Sequence, residues 1–209
     1  MKLIDLSVND FYKELASDSP APGGGSVAAV EASFGCGLLS MVCELTAKNK
    51  KYLEKAAKYK AIQAEADQLA KEALETIDKD TEAFLAVSNA FSLPKETEEE
   101  KEIRKQTIQE GLKGCCYPPM QTMNIAYLGL KQIETVSEDY NTNAASDLGS
   151  AVAALKAALQ SAYLNVLINI GGIQDTDFTE KMNDQAEELY QISNKLAETL
   201  SQKITDSLK

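Results

Sequence analysis

Ser19-Pro20-Ala21-Pro22-Gly23-Gly24-Gly25-Ser26, followed by the run Val27 to Cys43 with Glu31 as its sole charge, decides how this chain folds. The run is long, rich in Ala, Gly and Ser, and nearly uncharged. It is somewhat short for a membrane span of about 20 residues. A helix buried on all sides of a soluble bundle, from about Ser26 to Ala47, is the expected reading. The entry into it is unusual. Proline fixes φ and removes a donor, while three glycines let the backbone bend and approach a ligand closely. Ser26 is placed to cap the helix, leaving a rim of N–H groups with partial positive charge that suits an anion or a polar ring edge. A plain tight turn between two helices stays open as the alternative.

Outward from this stretch, helical periods run almost everywhere and no alternation is long enough for a strand. Ser7 followed by Asp10 reads as a capped start, with Val8, Phe11, Tyr12 and Leu15 as one face. A long helix from about Tyr52 to Phe91 carries the stripe Ile62, Ala66, Leu69, Ala73, Ile77, Phe84, Val87 and Phe91. Asp80 fills the gap in that stripe, so it is expected on the inward face. Pro94 ends the segment, and the charge run Lys95 to Lys105 reads as a solvated face or a loop entering a helix. Pro118-Pro119 marks a kink or restart. An alanine-rich helix follows the polar turn at 139–147 and ends at Gly171-Gly172. A last amphipathic helix spans about Asp177 to Ile204, with Met182, Ala186, Leu189, Ile192, Leu196 and Leu200 as its stripe. The fold class expected is all-α, a bundle of long antiparallel helices forming one domain over residues 1–209.

Composition narrows the chemistry. The formal net charge is −11, with one arginine, Arg104. Such a balance argues against nucleic acid and against anionic membrane surfaces. Met1-Lys2-Leu3-Ile4-Asp5 lacks the apolar core of a signal peptide, and a cytoplasmic protein is expected. The four cysteines, Cys36, Cys43, Cys115 and Cys116, show no C-x-x-C spacing and read as small buried apolar residues. There is no histidine, which removes Ser–His and Cys–His nucleophiles and disfavours Glu-x-x-His di-iron sites. No metal site is expected. The glycine segment lacks the Gly-Lys-Ser/Thr ending of a P-loop.

Acid–base work therefore falls to carboxylates, lysine, tyrosine or water. Asp80, inside a helical stripe, is one candidate, against a buried salt bridge as the plain alternative. Asp147 is the other, against the reading that Ser146 and Asp147 cap a helix. Asn141 and Asn143 have turn-forming alternatives. The lysines Lys48, Lys50 and Lys51 sit at a helix C-terminus, where they complement the dipole.

Taken in order, these segments resemble the cyclodeaminase/cyclohydrolase family of folate enzymes. The matching stretches are Pro20-Ala21-Pro22-Gly23-Gly24-Gly25-Ser26, Leu45-Thr46 with the lysines and Tyr52, Asp78-x-Asp80-x-x-Ala83-Phe84, Pro118, and Asn143-x-x-Ser146-Asp147-Leu148-Gly149. The resemblance covers essentially the whole chain. Ala47-Lys48-Asn49-Lys50 departs from the lysine-rich stretch of the family. The resemblance implies a homodimer, a tetrahydrofolate derivative as substrate, and no metal or other cofactor. It implies no fused formiminotransferase domain. It points to Asp147 and Asp80 as the catalytic pair. Pro22, Gly23, Gly24, Gly25, Ser26, Asn143 and Ser146 would bind substrate, and Lys48 and Lys51 would attract its glutamate tail. The expected activity is hydrolysis of the N5–N10 methenyl bridge to 10-formyltetrahydrofolate. Formimidoyltetrahydrofolate cyclodeaminase is the alternative, and a non-catalytic dimeric helical module is the alternative of a different class. A membrane-associated bundle using residues 27–43 is a distant third.

Overall fold

The computed structural model describes residues 2–209. It contains α1 (Val8–Leu15), α2 (Gly24–Lys48), α3 (Ala56–Phe91), α4 (Glu98–Gly114), α5 (Tyr117–Val136), α6 (Ala145–Ile170) and α7 (Thr176–Ser207). Single 3-10 turns occupy Leu3–Asp5, Lys50–Lys55 and Thr142–Ala144, and no strand occurs among the described residues. The expectation of an all-α fold holds.

Cross-helix contacts fix the directions. Ser26 meets Asp80 and Ser40 meets Asp67, so α2 and α3 are antiparallel. Gly24 lies against Asn165 and Gly35 against Leu155, so α2 and α6 are antiparallel as well. Gln132 bonds Glu65 and Tyr163 bonds Glu187, which sets α5 against α3 and α7 against α6. All first turns of α2, α5 and α7 thus lie at one end of the bundle, together with the last turn of α6.

The core is built on small residues. Ala28, Ala32, Cys36, Leu39, Val42 and Cys43 of α2 are buried against Leu148, Val152, Leu155 and Leu159 of α6 and Met123, Leu130 and Ile133 of α5. Gly35 and Gly129 both press on Leu155. A Cβ at either would stand 2.6 Å and 2.9 Å from its side chain. Missing side chains let α2, α5 and α6 approach closely, and this is the use of small residues in the uncharged run.

Several local expectations are corrected. Ser26 does not cap α2: the helix starts at Gly24 with Gly23 as N-cap, and Ser26 is buried in the first turn. Nor is α2 buried all round, because Phe34, Met41 and Leu45 are exposed along one face. Helix α1 forms with its Ser7 cap, yet none of its residues is buried. Phe84 and Phe91 are exposed, because α3 runs on past the start of α2 beyond Asp80; Phe84 borders a cavity there, and α4 packs on α3 through Gly111 against Val87. In α7, Ile192 is exposed and Ser193 takes the buried position. Pro118-Pro119 is a restart: α4 ends at Gly114 and α5 opens with both prolines in its first turn, where their missing N–H groups cost nothing. Both α2 and the segment Thr142–Ile170 are long and apolar enough to cross a membrane. In the most apolar window of α2, 56% of residues are buried inside the protein, as in a core helix; in the second segment the share is 39%.

Candidate active site

At the end of the bundle where α2 begins, a cavity of about 280 Å³ is lined by Pro20, Ala21, Gly23, Gly24, Gly25, Asp80, Phe84, Cys115, Asn165, Ile168 and Asn169. A larger hollow of about 400 Å³ between α3 and α5 is lined mainly by Ala64, Gln68, Leu69 and Leu128, with Glu65 as its one titratable group. The former is the cavity that contains a carboxylate whose pKa burial raises, Asp80.

Asp80 sits at its floor. The Ser26 hydroxyl donates to Asp80 Oδ2 at 2.9 Å, and the Ser26 backbone N–H also bonds the carboxylate. The Ser26 hydroxyl also lies 3.3 Å from the hydroxyl of Thr81. Burial pushes the Asp80 pKa above the ordinary carboxylate value, and the two Ser26 bonds hold it back in part. Among the described residues this carboxylate is no member of an ion pair, which speaks against the plain alternative of a buried salt bridge.

The glycines serve this carboxylate by what they lack. No glycine has a positive φ, so conformational freedom is not what the turn uses. A Cβ at Gly25 would stand 2.2 Å from Asp80 Oδ1 and one at Gly24 would stand 3.0 Å from Asn165 Nδ2. A Cβ at Gly23 would meet nothing within 4 Å. Gly25 is therefore the position where only glycine lets α2 start against Asp80. The Ala21–Pro22 peptide preceding it is cis.

Asn165 and Asn169, one turn apart at the end of α6, were not singled out from sequence. Asn165 Nδ2 donates to the Ser161 carbonyl and Asn169 Nδ2 to the Cys115 carbonyl. Each amide oxygen remains as an acceptor beside the cavity. Their i, i+4 spacing just before Gly171-Gly172 was the available signal. The Cys115 thiol is pushed up to about 11 by burial and by the nearby Asp80 charge, so it remains protonated at neutral pH. Glu31 of α2 is also raised by burial, against a hydrogen bond from Ser161, and its Oε2 is buried without a partner.

The other sequence-derived site residues lie at the opposite end. Asp147 is in the first turn of α6, 18 residues from Asn165, or roughly 27 Å along the axis. Asn143 and Ser146 are exposed beside it, and neither Ser146 nor Asp147 caps α6 through a side chain: its N-cap is Ala144. Lys48 pairs with Glu44 at 2.6 Å, and the Lys51 ammonium lies 5.1 Å from the Tyr52 ring centre. Thr46 and Tyr52 anchor this end. The Thr46 hydroxyl accepts from Asn141 N at 3.2 Å, and the Tyr52 hydroxyl donates to the Tyr140 carbonyl at 2.5 Å. The chain thus brings together Pro22, Gly23, Gly24, Gly25, Ser26 and Asp80 at one end, and separately gathers Lys48, Lys51, Asn143, Ser146 and Asp147 at the other.

A sequence-family model described as formiminotransferase-cyclodeaminase matches residues 7–188. The chain belongs to this family. It is 38% identical over 205 residues to the methenyltetrahydrofolate cyclohydrolase of Methylorubrum extorquens, covering 97% of this chain and 96% of that protein. It is 32% identical over 189 residues to the formimidoyltransferase-cyclodeaminase of Rattus norvegicus, covering 90% of this chain but 35% of that protein. The crystal structure of formiminotetrahydrofolate cyclodeaminase from Thermotoga maritima superposes with a TM-score of 0.83 at 28% identity, over 99% of this chain and 98% of that one.

Proposed function

We propose that this folate one-carbon enzyme acts at the N5–N10 methenyl bridge of tetrahydrofolate, hydrolysing methenyltetrahydrofolate to 10-formyltetrahydrofolate. The observation that carries the reading is the buried, unpaired Asp80 at the glycine-lined start of α2, with its pKa raised. The methenyl bridge is a cationic amidinium, and a buried carboxylate attracts it more strongly than one in bulk water would. A raised pKa also brings Asp80 closer to the range where a general base works at neutral pH. Water adds to the bridge carbon while Asp80 takes its proton. The tetrahedral carbon then expels N5 with the C–N electron pair, Asp80 returns the proton to N5, and the carbinol hydroxyl releases its own proton to solvent as the formyl C=O forms. Asn165 and Asn169 offer acceptor oxygens for the amino and ring N–H groups of a pterin. The scheme uses no metal or other cofactor.

Asp147 enters as the second carboxylate, with Asn143 and Ser146 beside it and Lys48 and Lys51 meeting the glutamate tail. The protein then works as a cytoplasmic homodimer, each copy one folate-enzyme domain over residues 1–209. Neither nucleic acid nor membrane is its partner, in keeping with the net charge of −11.

Formimidoyltetrahydrofolate cyclodeaminase is the second reading, favoured by the likeness to the Thermotoga maritima structure. It needs the same groups: N10 attacks the formimino carbon and ammonia leaves. The 38% identity to a cyclohydrolase of matching length favours hydrolysis. Following the bridge absorbance after mixing protein with methenyltetrahydrofolate tests this. Saturable loss above the no-enzyme rate is expected. Appearance of that absorbance with ammonia from 5-formimidoyltetrahydrofolate, and no loss in the first assay, would move the assignment to the cyclodeaminase.

A further inference from the structure

We infer that Phe84 is an aromatic wall on which the flat cation of the substrate lies, and that this ring makes the cavity hold a planar cation in preference to a neutral ligand of the same shape. The identity of the ligand rests on the folate reading above; the preference for a flat cation does not.

Three observations carry it. The first is where the ring is exposed. Phe84 continues the stripe that runs through Ile77 and Val87 on α3. Ile77 is 3% exposed and Val87 7%, yet Phe84 between them is 43% exposed. Gly111 of α4 packs on Val87, whereas the cavity stands beside Phe84. The ring is also unpartnered. Among the described residues no aromatic ring stacks on it and no lysine or arginine lies over it. Phe91, exposed further along the same helix, is by contrast covered by the Arg104 guanidinium at 5.6 Å.

The second is the spacing from Asp80. The two residues are four apart on one α-helix, so they share a face about 6 Å apart along the axis. Helical side chains lean back toward the N-terminus, which carries the Phe84 ring toward the turn that holds Asp80. A flat group lying on the ring is then within reach of the carboxylate. Ile168 of α6 adds an apolar wall, and Asn165 and Asn169 bring their amides to the same cavity.

The third is the sign of the charge. Among the described residues Asp80 is the one charged side chain lining the cavity, and no lysine or arginine lines it. The face of an aromatic ring attracts a cation lying within about 6 Å of its centre. Ring and carboxylate therefore favour the same ligand charge. The methenyl bridge is a planar, delocalised cation, and the formyl product is neutral at that position. The cavity thus grips the substrate and relaxes its hold once water has added to the bridge carbon. Phe84 is a binding and specificity residue in this scheme, and proton transfer stays with Asp80. Its pull is strongest on the bound cation and fades as the tetrahedral adduct forms. Removing it raises KM without lowering kcat.

Phe84→Leu, and phenylalanine analogues with successively more ring fluorines placed at position 84 of the full chain, test this. Fluorine weakens the negative face of the ring while nearly keeping its shape, so the analogues separate charge recognition from packing. In Phe84→Leu the KM for methenyltetrahydrofolate is expected to rise about tenfold, with kcat unchanged or raised. Across the fluorinated series KM is expected to climb stepwise. Inhibition by 5-formyltetrahydrofolate, neutral at the bridge position, is expected to weaken by less than about twofold. An unchanged KM, a flat fluorine series, a fall in kcat, or equal weakening of the formyl ligand overturns the inference. A wild type that turns over neither methenyl- nor formimidoyltetrahydrofolate overturns the folate reading instead. Titration with benzamidine, a planar amidinium, against neutral benzamide then decides the cation preference. Tighter binding of benzamidine that weakens with ring fluorination upholds it. Binding of neither, equal binding of both, or no dependence on fluorination overturns it.

Discussion

At the residue scale, the buried carboxylate of Asp80 costs stability when charged. Its folded pKa is raised, so the folded state holds this proton more tightly than the unfolded chain does. The sign follows: the carboxylate's cost is fully present above the raised folded value and disappears as pH falls toward the ordinary 3.8. Asp80→Asn is therefore expected to abolish turnover while keeping or raising Tm at pH 7, with the gain gone in acid. Thermal unfolding between pH 3.5 and 8 reads this directly, and a lower Tm at pH 7 would contradict it. Because Ser26 bonds the charged form, Ser26→Ala is expected to move the acid limb of kcat/KM to higher pH. The glycines separate by steric room. Gly25→Ala drives a methyl into Asp80 and is expected to lose at least tenfold in kcat/KM. Gly23→Ala meets nothing within 4 Å and is expected to leave activity within about twofold.

At the element scale, α2 is defined by closeness to α6. A Cβ at Gly35 would lie 2.6 Å from Leu155 Cγ and 3.2 Å from the Ala151 carbonyl. Overpacking costs about 1–3 kcal/mol, against a helix-propensity gain of about 1 kcal/mol for replacing glycine by alanine. Backbone cannot yield as a side-chain tip can, so Gly35→Ala is expected to lower stability by on the order of 1 kcal/mol. A urea midpoint unchanged or raised would show that α6 moves aside. The helix ends follow local rules more simply. Thr97 and Glu100 form a full capping box on α4, and Asp175 caps α7 through Phe178 N at 3.1 Å. The start of α2 breaks the pattern, with no side-chain cap on Gly23, because that end is given over to Asp80 and the cavity.

For the whole molecule, the homodimer proposed above predicts a Tm that rises with protein concentration, since a partner binding only the folded state stabilises it by mass action. Scanning calorimetry over a hundredfold range of concentration checks this, and a constant Tm would argue for a monomer.

Much of the fold was legible because helical periodicity and breakers are local. Pro94, Pro118-Pro119 and Gly171-Gly172 mark real boundaries, and the stripe from Ile62 to Ile77 is buried as its spacing requires. The inward placement of Asp80 was legible too, because it follows from phase along one helix. The stripe failed at Phe84 and Phe91, since no periodicity tells where a helix outruns its neighbours. Ser26 looked like a cap by residue type, yet it turns inward to a carboxylate 54 positions away in sequence. Asn165 and Asn169 gain meaning only from the register of α6 on α2. The sequence by itself thus determined the elements, the family and the chemistry available, because these depend on residue type and spacing. Only the tertiary structure decided that Asp80 and Asp147 stand at opposite ends of the bundle, because a straight helix of 26 residues separates its two ends by its own length.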